Sequence, residues 1–221
     1  MLVKVDSAAL HGIEGVVVSV EVDVSRGLPS FTTVGLPDSS VRESKDRVKA
    51  AIKNCGYEVP PRKITVNLSP ADLRKEGPSF DLPIALGLLT TTGIIQQEMV
   101  QGYLAVGELS LDGSLLPVVG ILSIAMTAKT NGFKGLIIPR ENAAEAQLAG
   151  PVEMIAVSNL FEIVEILTGV RPREQHRFED SCTGTPVYEV ELDDVRGQHS
   201  AKRALTIAAA GMHNLLTLYT I

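Results

Sequence analysis

Ser79 stands where two very different stretches meet. The run Arg74-Lys75-Glu76-Gly77-Pro78-Ser79-Phe80-Asp81-Leu82-Pro83-Ile84-Ala85-Leu86-Gly87 passes from a polar Gly-Pro turn straight into an apolar segment with helical length. Glycine permits a tight backbone at such a corner, proline fixes the approach, and the first amides of the following helix lack intrahelical partners. A hydroxyl placed there is expected to cap the helix, serine being a common N-cap before an apolar run, and it can also face an anion or act as a nucleophile. The last use needs a base beside it, because a serine hydroxyl is a weak nucleophile at neutral pH. Glu76, Asp81 and Glu108 could gather carboxylates near the corner, but their spacing fits no metal motif and predicts solvated loop acids. His11, His176, His199 and His213 are scattered, and none is assigned to a metal.

Several elements must position this corner. Residues 3–10, 16–24 and 31–34 alternate or are rich in β-branched side chains, which predicts three antiparallel strands. Ser19, Glu21 and Asp23 fall on one face of the second and its valines on the other, so one side of the sheet should be wet. Asp38 or Ser39 should cap a helix running to about Asn54. Val41, Val48, Ile52 and Cys55 form its apolar side, while Arg42, Lys45, Lys49 and Lys53 form a basic stripe, with Arg62 and Lys63 nearby in sequence. That stripe is the candidate face for DNA or an acidic protein partner; the plainer reading is a solvated helix face relieved by Glu43 and Asp46. A strand over 63–69 leads into the corner, and Asp112-Gly113 between alternating apolar residues marks a hairpin after it.

The second half alternates strands and helices, which predicts parallel pairing: a helix over 118–130, a strand over 135–139, a helix over 141–148, a strand over 152–157 and a helix over 160–167. The expected fold class is therefore α+β, a mixed sheet with helices packed on it. Residues 171–187 are rich in charge, Pro, Gly, Ser and Thr and read as a linker between a domain over 1–170 and a short module over 188–221.

Composition narrows the function. Few aromatics, no tryptophan and a formal charge of −6 disfavour a base-stacking nucleic-acid binder or wholesale coating of nucleic acid, though not a local basic face. Two distant cysteines form no redox pair or disulfide framework, Asp6 interrupts what would be a signal-peptide core, and the uncharged runs are broken by Pro and Gly. A cytoplasmic protein without a membrane span is expected.

The order strand, Gly-Pro-Ser corner, buried helix, strand, hairpin, helix, with E-G-P-S followed by G-E-L-x-L-x-G-x-L-x-P, resembles the proteolytic domain of Lon-type proteases. That resemblance implies Ser79 as nucleophile and a lysine early in the helix after the hairpin as its activator. Laying Gly120 on the family's glycine puts Leu122 at the lysine position, so the base is missing and Ser79 is vestigial. The competing reading is a serine hydrolase with Lys129 as a displaced base, although two helical turns carry a side chain roughly 10 Å along the axis.

The tail Glu191-Leu192-Asp193-Asp194-Val195-Arg196-Gly197-Gln198-His199-Ser200-Ala201-Lys202-Arg203-Ala204-Leu205, leading to His213-Asn214-Leu215-Leu216, resembles the opening of the AAA+ ATPase module in magnesium-chelatase-like proteins of the ComM/YifB family. Gly35-Leu36-Pro37-Asp38 and the Ser79 corner resemble that family's N-terminal Lon-like domain. The resemblance implies a helix and then a strand at 213–218, Asp194, Gly197 and Gln198 near a bound adenine in the intact protein, ATP and Mg2+ as its cofactors, and a homo-hexameric ring driving DNA branch migration during recombination and natural transformation. Met212 stands where the family usually has glycine. No Gly-Lys pair occurs in the 221 residues, so the phosphate-binding loop is missing and no cofactor or hydrolysis is expected in this chain alone. The expectation is a non-catalytic regulatory or interaction domain cut before that loop.

Overall fold

The computed structural model describes residues 1–173 and 192–217, and these fall into two compact units on either side of the intervening stretch. The expected linker lies almost wholly outside the described residues.

In the first unit β1 (Leu2–His11) and β2 (Glu14–Ser25) form a long antiparallel pair turned at Gly12, whose φ is 64°. The free side of β2 is taken by β4 (Lys63–Ser69), also antiparallel. The segment over 30–34 is indeed a strand, β3 (Ser30–Val34), but it is parallel to β4 and does not touch β2. The expectation of three consecutive antiparallel strands fails because α1 (Ser39–Asn54) crosses over the sheet between β3 and β4, returning the chain to the end from which it started. Asp38 caps α1, its Oδ1 accepting from the Val41 amide at 2.8 Å.

From β1 the sheet continues in parallel through β5 (Tyr103–Ala105), β8 (Gly135–Pro139) and β9 (Glu153–Val157), giving seven strands in the order β3-β4-β2-β1-β5-β8-β9. Antiparallel pairing in the first half and crossover linkage in the second agree with the sequence pattern. The Asp-Gly hairpin forms as the short pair β6 (Glu108–Leu109) and β7 (Leu115–Leu116), its turn held by Asp112, which accepts from the amide and hydroxyl of Ser114. The helix expected from residue 118 begins later, as α4 (Ile121–Thr130), because Gly120 takes a left-handed φ of 76° that ends the preceding loop. The helix expected over 141–148 is a 3-10 turn, Arg140–Asn142, followed by α5 (Ala143–Gln147), while α6 (Leu160–Leu167) lies where its apolar period placed it.

Two apolar layers sandwich the sheet. The larger gathers Val18, Val20, Val22, Ile64, Val66 and Leu68 under α1, α6 and α2 (Asp81–Thr91); the smaller packs Ala8, Leu104, Leu136 and Ile138 against α4 and α5. All ten residues from Asp81 to Thr90 are buried, so the uncharged run is a core helix, followed by the single turn α3 (Gln97–Val100). Gly87 lets α2 lie against β2, since a Cβ there would meet Val22 Cγ2 at 2.5 Å. Among the described residues no helix is long and apolar enough to cross a membrane.

The second unit contains a 3-10 turn, Leu192–Asp194, and α7 (His199–Gly211). Residues 213–217 form no strand, contrary to the expectation for 213–218, and Leu218 falls outside the described residues.

Candidate functional site

The corner is built by two loops that hold each other. Lys75 N donates to Leu36 O at 3.3 Å and Asp38 N to Lys75 O at 3.1 Å, so the Gly35-Leu36-Pro37-Asp38 loop pairs with the chain entering the corner. Besides capping α1, Asp38 accepts from the Gly77 amide through Oδ2 at 3.2 Å. Burial works against its charge, but the bonds from Val41, Ser40 and Gly77 prevail and hold the carboxyl below its ordinary value. Gly77 takes a φ of 82°, a 3-10 turn over Pro78–Phe80 follows, and α2 starts without a break.

Ser79 is half-buried within that turn. Its carbonyl accepts from the Gly107 amide at 2.9 Å, and Gly107 O in turn accepts from Leu82 N at 3.0 Å, tying the corner to the strand that leads into the hairpin. Its hydroxyl makes no hydrogen bond with a described residue, and neither the 3-10 turn nor α2 has a side-chain cap. The capping role expected for Ser79 is therefore not what the structure shows. The turn and the helix are continuous, so the position that would cap α2 falls to Phe80, which has no acceptor.

A cleft of about 600 Å³ opens beside the hydroxyl. Ala8, Ala9 and Leu10 of β1 form one wall, Pro117, Val118, Val119 and Ile124 another, and Asp38, Ser40, Glu76 and Glu108 join Ser79 at its polar side. Among the described residues no lysine, arginine or histidine lines it. Leu122 sits in the first turn of α4, half-buried and outside the lining, its amide donating to Glu145 Oε1 at 3.3 Å. Lys129 is turned away, with Nζ on the carbonyl of Ala149 at 3.1 Å. Neither side chain offers Ser79 a base.

Three charged residues near the corner escaped sequence reasoning. Asp81 is fully buried rather than a solvated loop acid: Ser44 Oγ donates to Oδ1, the Leu109 amide to Oδ2 at 3.2 Å, and Arg47 binds both oxygens. A carboxylate opening an apolar run was the available signal, matched by Arg47, which lies beside the apolar side of α1 three and four places from Ser44 and Ala51. Lys75 is also fully buried, with Nζ on the carbonyl of Pro70. Burial lowers its pKa and nearby Asp72 opposes the shift. Nothing in the spacing marks it as interior. Glu76 is an exposed acid paired with Arg74 at 3.1 Å, as expected, and among the described residues no group of His, Cys, Asp and Glu could hold a metal ion.

The basic stripe divides in two. Arg42 and Lys45 line a shallow depression together with Asp38, Glu43 and Asp46, whereas Lys49 and Lys53 line a groove of about 430 Å³ with Tyr57, Pro60, Pro61 and Arg62. Lys49 Nζ lies 5.1 Å from the centre of the Phe31 ring, within cation-π range. In the second unit Asp194 ends the 3-10 turn, and Gly197 and Gln198, with φ of 68° and 52°, bend the chain into α7.

Comparison with known families and proteins agrees with this geometry. Residues 20–142 match "Subunit ChlI of Mg-chelatase" and residues 191–219 match "Magnesium chelatase, subunit ChlI". The chain is 41% identical over 217 residues to the uncharacterized protein YifB of Salmonella typhimurium, covering 98% of this chain and 42% of that one. It is 40% identical over 220 residues to the competence protein ComM of Haemophilus influenzae, covering 98% and 43%. Lon protease 2 of Bacillus subtilis is 28% identical over 161 residues, 69% of this chain and 28% of the protease. The chain thus spans less than half the length of its YifB and ComM relatives. A Lon-like corner joined to a ChlI-type second segment places the chain in the magnesium-chelatase ChlI family, beside the YifB and ComM proteins.

Proposed function

We propose that the first unit is a non-catalytic regulatory or interaction domain of a magnesium-chelatase-like AAA+ ATPase, and that the second is the opening of the ATPase module. The intact protein is read as a cytoplasmic, homo-hexameric motor that uses ATP and Mg2+, with Asp194, Gly197 and Gln198 beside the nucleotide, to drive DNA branch migration. One observation supports the non-catalytic reading above others: Ser79 borders a cleft lined by carboxylates and hydrocarbon, with no amine or imidazole in the lining among the described residues. None of these carboxylates hydrogen-bonds the hydroxyl to take its proton, and their negative charge would oppose an alkoxide rather than stabilise it. The test is incubation with a serine-directed phosphonate followed by mass spectrometry of the intact chain. Unlabelled protein is expected, and labelling lost in Ser79→Ala would establish a hydrolase instead.

Arg42, Lys45, Lys49 and Lys53 remain the proposed face for a DNA or acidic protein partner. If DNA phosphates are the target, binding should weaken steeply as salt rises and weaken further in Lys49→Glu. Binding insensitive to both would remove the stripe from the functional surface.

A further inference from the structure

The sheet ends on β3, so one side of that strand has no described neighbour. Ser30 N donates to Arg62 O at 3.4 Å, and with Ser30 opposite Lys63 the parallel ladder turns the amides and carbonyls of Ser30, Thr32 and Val34 toward β4. Phe31 and Thr33 turn theirs outward, where no described residue takes them up. The basic stripe of α1 runs back along this open edge. Lys49 Nζ lies over the Phe31 ring, Lys53 shares a groove with Pro29 and Ser30 where β3 begins, and Arg42 and Lys45 share a depression with Leu36 and Pro37 just past its end. The two ends differ in charge. Asp38, Glu43 and Asp46 offset Arg42, Lys45 and Arg74 in the depression, whereas in the groove Lys49, Lys53 and Arg62 meet a single acid, Glu58. None of those three cations forms an ion pair with a described residue. An open edge strand with unanswered cations beside it suits an added strand of opposite charge.

We propose that the outer edge of β3 takes up an extended acidic polypeptide segment, which adds as a strand opposite Phe31 and Thr33 and lays alternate carboxylates along Lys49, Lys53 and Arg62. The inference rests on the reading of the basic stripe as a partner face and deepens it by naming the partner as polypeptide. Free strand amides and carbonyls are satisfied by another backbone, which a nucleic acid does not offer. Paired strand residues share a face, and the Phe31 side chain lies on the α1 side, beneath Lys49 and against the core. Every second side chain of the added strand therefore falls on the side of the stripe. A second copy of this chain is the poorer occupant, because joining through the same edge would set its Lys49 against this one.

The experiment uses the 221-residue chain and a fluorescein-labelled decapeptide alternating glutamate and valine, read by anisotropy. Three further peptides test the mode: one with lysine replacing glutamate, and two N-methylated on the glutamate or on the valine amides. Binding of the glutamate peptide is expected, with roughly a tenfold or greater loss for the lysine peptide and for one N-methylated peptide, while the other binds nearly as well. Loss on methylating the glutamates reports antiparallel addition, and loss on methylating the valines reports parallel addition. Lys49→Glu and Thr33→Pro should each weaken binding. The Thr33 amide points away from β4, so proline there removes only the outward donor. Lys134→Glu, just before β8 and so towards the other end of the sheet, should bind as the parent does. Equal binding of the two N-methylated peptides, peptide binding that survives Lys49→Glu, or absence of binding overturns the proposal, even if Thr33→Pro fails to fold. A labelled oligothymidylate separates this from the broader reading. If the oligonucleotide binds and Lys49→Glu weakens it while the peptide does not bind, the stripe stands as a nucleic-acid face and strand addition falls; if neither binds, both fall.

Discussion

Arg47 lays its guanidinium across the buried carboxylate of Asp81, Nε to Oδ2 at 2.7 Å and Nη2 to Oδ1 at 3.1 Å. The pair joins α1 to the first residue of α2, and the Leu109 amide on the same carboxylate brings in the hairpin. Three elements distant in sequence thus converge two residues from Ser79. Asp81 is fully buried while Arg47 keeps 22% of its side chain exposed, so the acid depends on the arginine more than the reverse. Its role is placement of the corner, since a buried ion pair is seldom a source of large net stability.

Removing one partner of that pair should be far worse than removing both. Arg47→Ala leaves a buried carboxylate short of its cation and should lower stability by about 3–5 kcal/mol. Replacing Arg47 by Met and Asp81 by Leu together should cost clearly less than the sum of the single changes, because residues in one network do not act independently. Urea midpoints of the parent, single and double variants check this. Additive losses would mean that the pair is not coupled.

Much of this architecture could be read from the chain, because it depends on local periodicity. The cap at Asp38, the core helix after the corner, the Asp112-Gly113 hairpin and the crossover-linked second half all follow from short-range patterns. What could not be read depends on contacts between distant segments. The parallel pairing of β3 with β4 is decided by where α1 lies, and the burial of Lys75 by how its loop closes over Pro70, which no spacing rule encodes. Ser79 as a cap was a sound local inference overruled by a 3-10 turn that runs without a break into α2.

Lys75 should make stability depend on pH in a definite direction. Burial holds its ammonium below the ordinary value of 10.5, so between the folded pKa and 10.5 the unfolded chain binds more protons than the folded one. The contribution of Lys75 is therefore greatest above 10.5 and is lost as pH falls toward the folded value. Lys75→Met removes the titration. The stability of the parent relative to this variant should rise as pH climbs toward 10.5, measured from urea midpoints at each pH. A flat difference would mean that the ammonium is as well solvated folded as unfolded.

Gly35 should be the least replaceable residue of the loop that steadies the corner. Its φ is 98°, where side chains other than glycine are strained, and a Cβ there would meet the backbone carbonyl oxygen of Leu68 at 2.1 Å. That contact is with backbone of β4, so no side chain can turn aside to relieve it. The next residues, Leu36 and Asp38, make the backbone bonds to Lys75 that orient Gly77 and Ser79. Gly35→Ala should therefore lower stability by at least about 2–3 kcal/mol, combining backbone strain with displacement of a neighbouring strand. It should also loosen the Gly-Pro-Ser turn, seen as faster amide hydrogen exchange at Gly77 and Gly107 than in Gly132→Ala, whose Cβ would meet nothing within 4 Å. Equal effects of the two substitutions would show that φ alone, and not the approach to Leu68, governs the position.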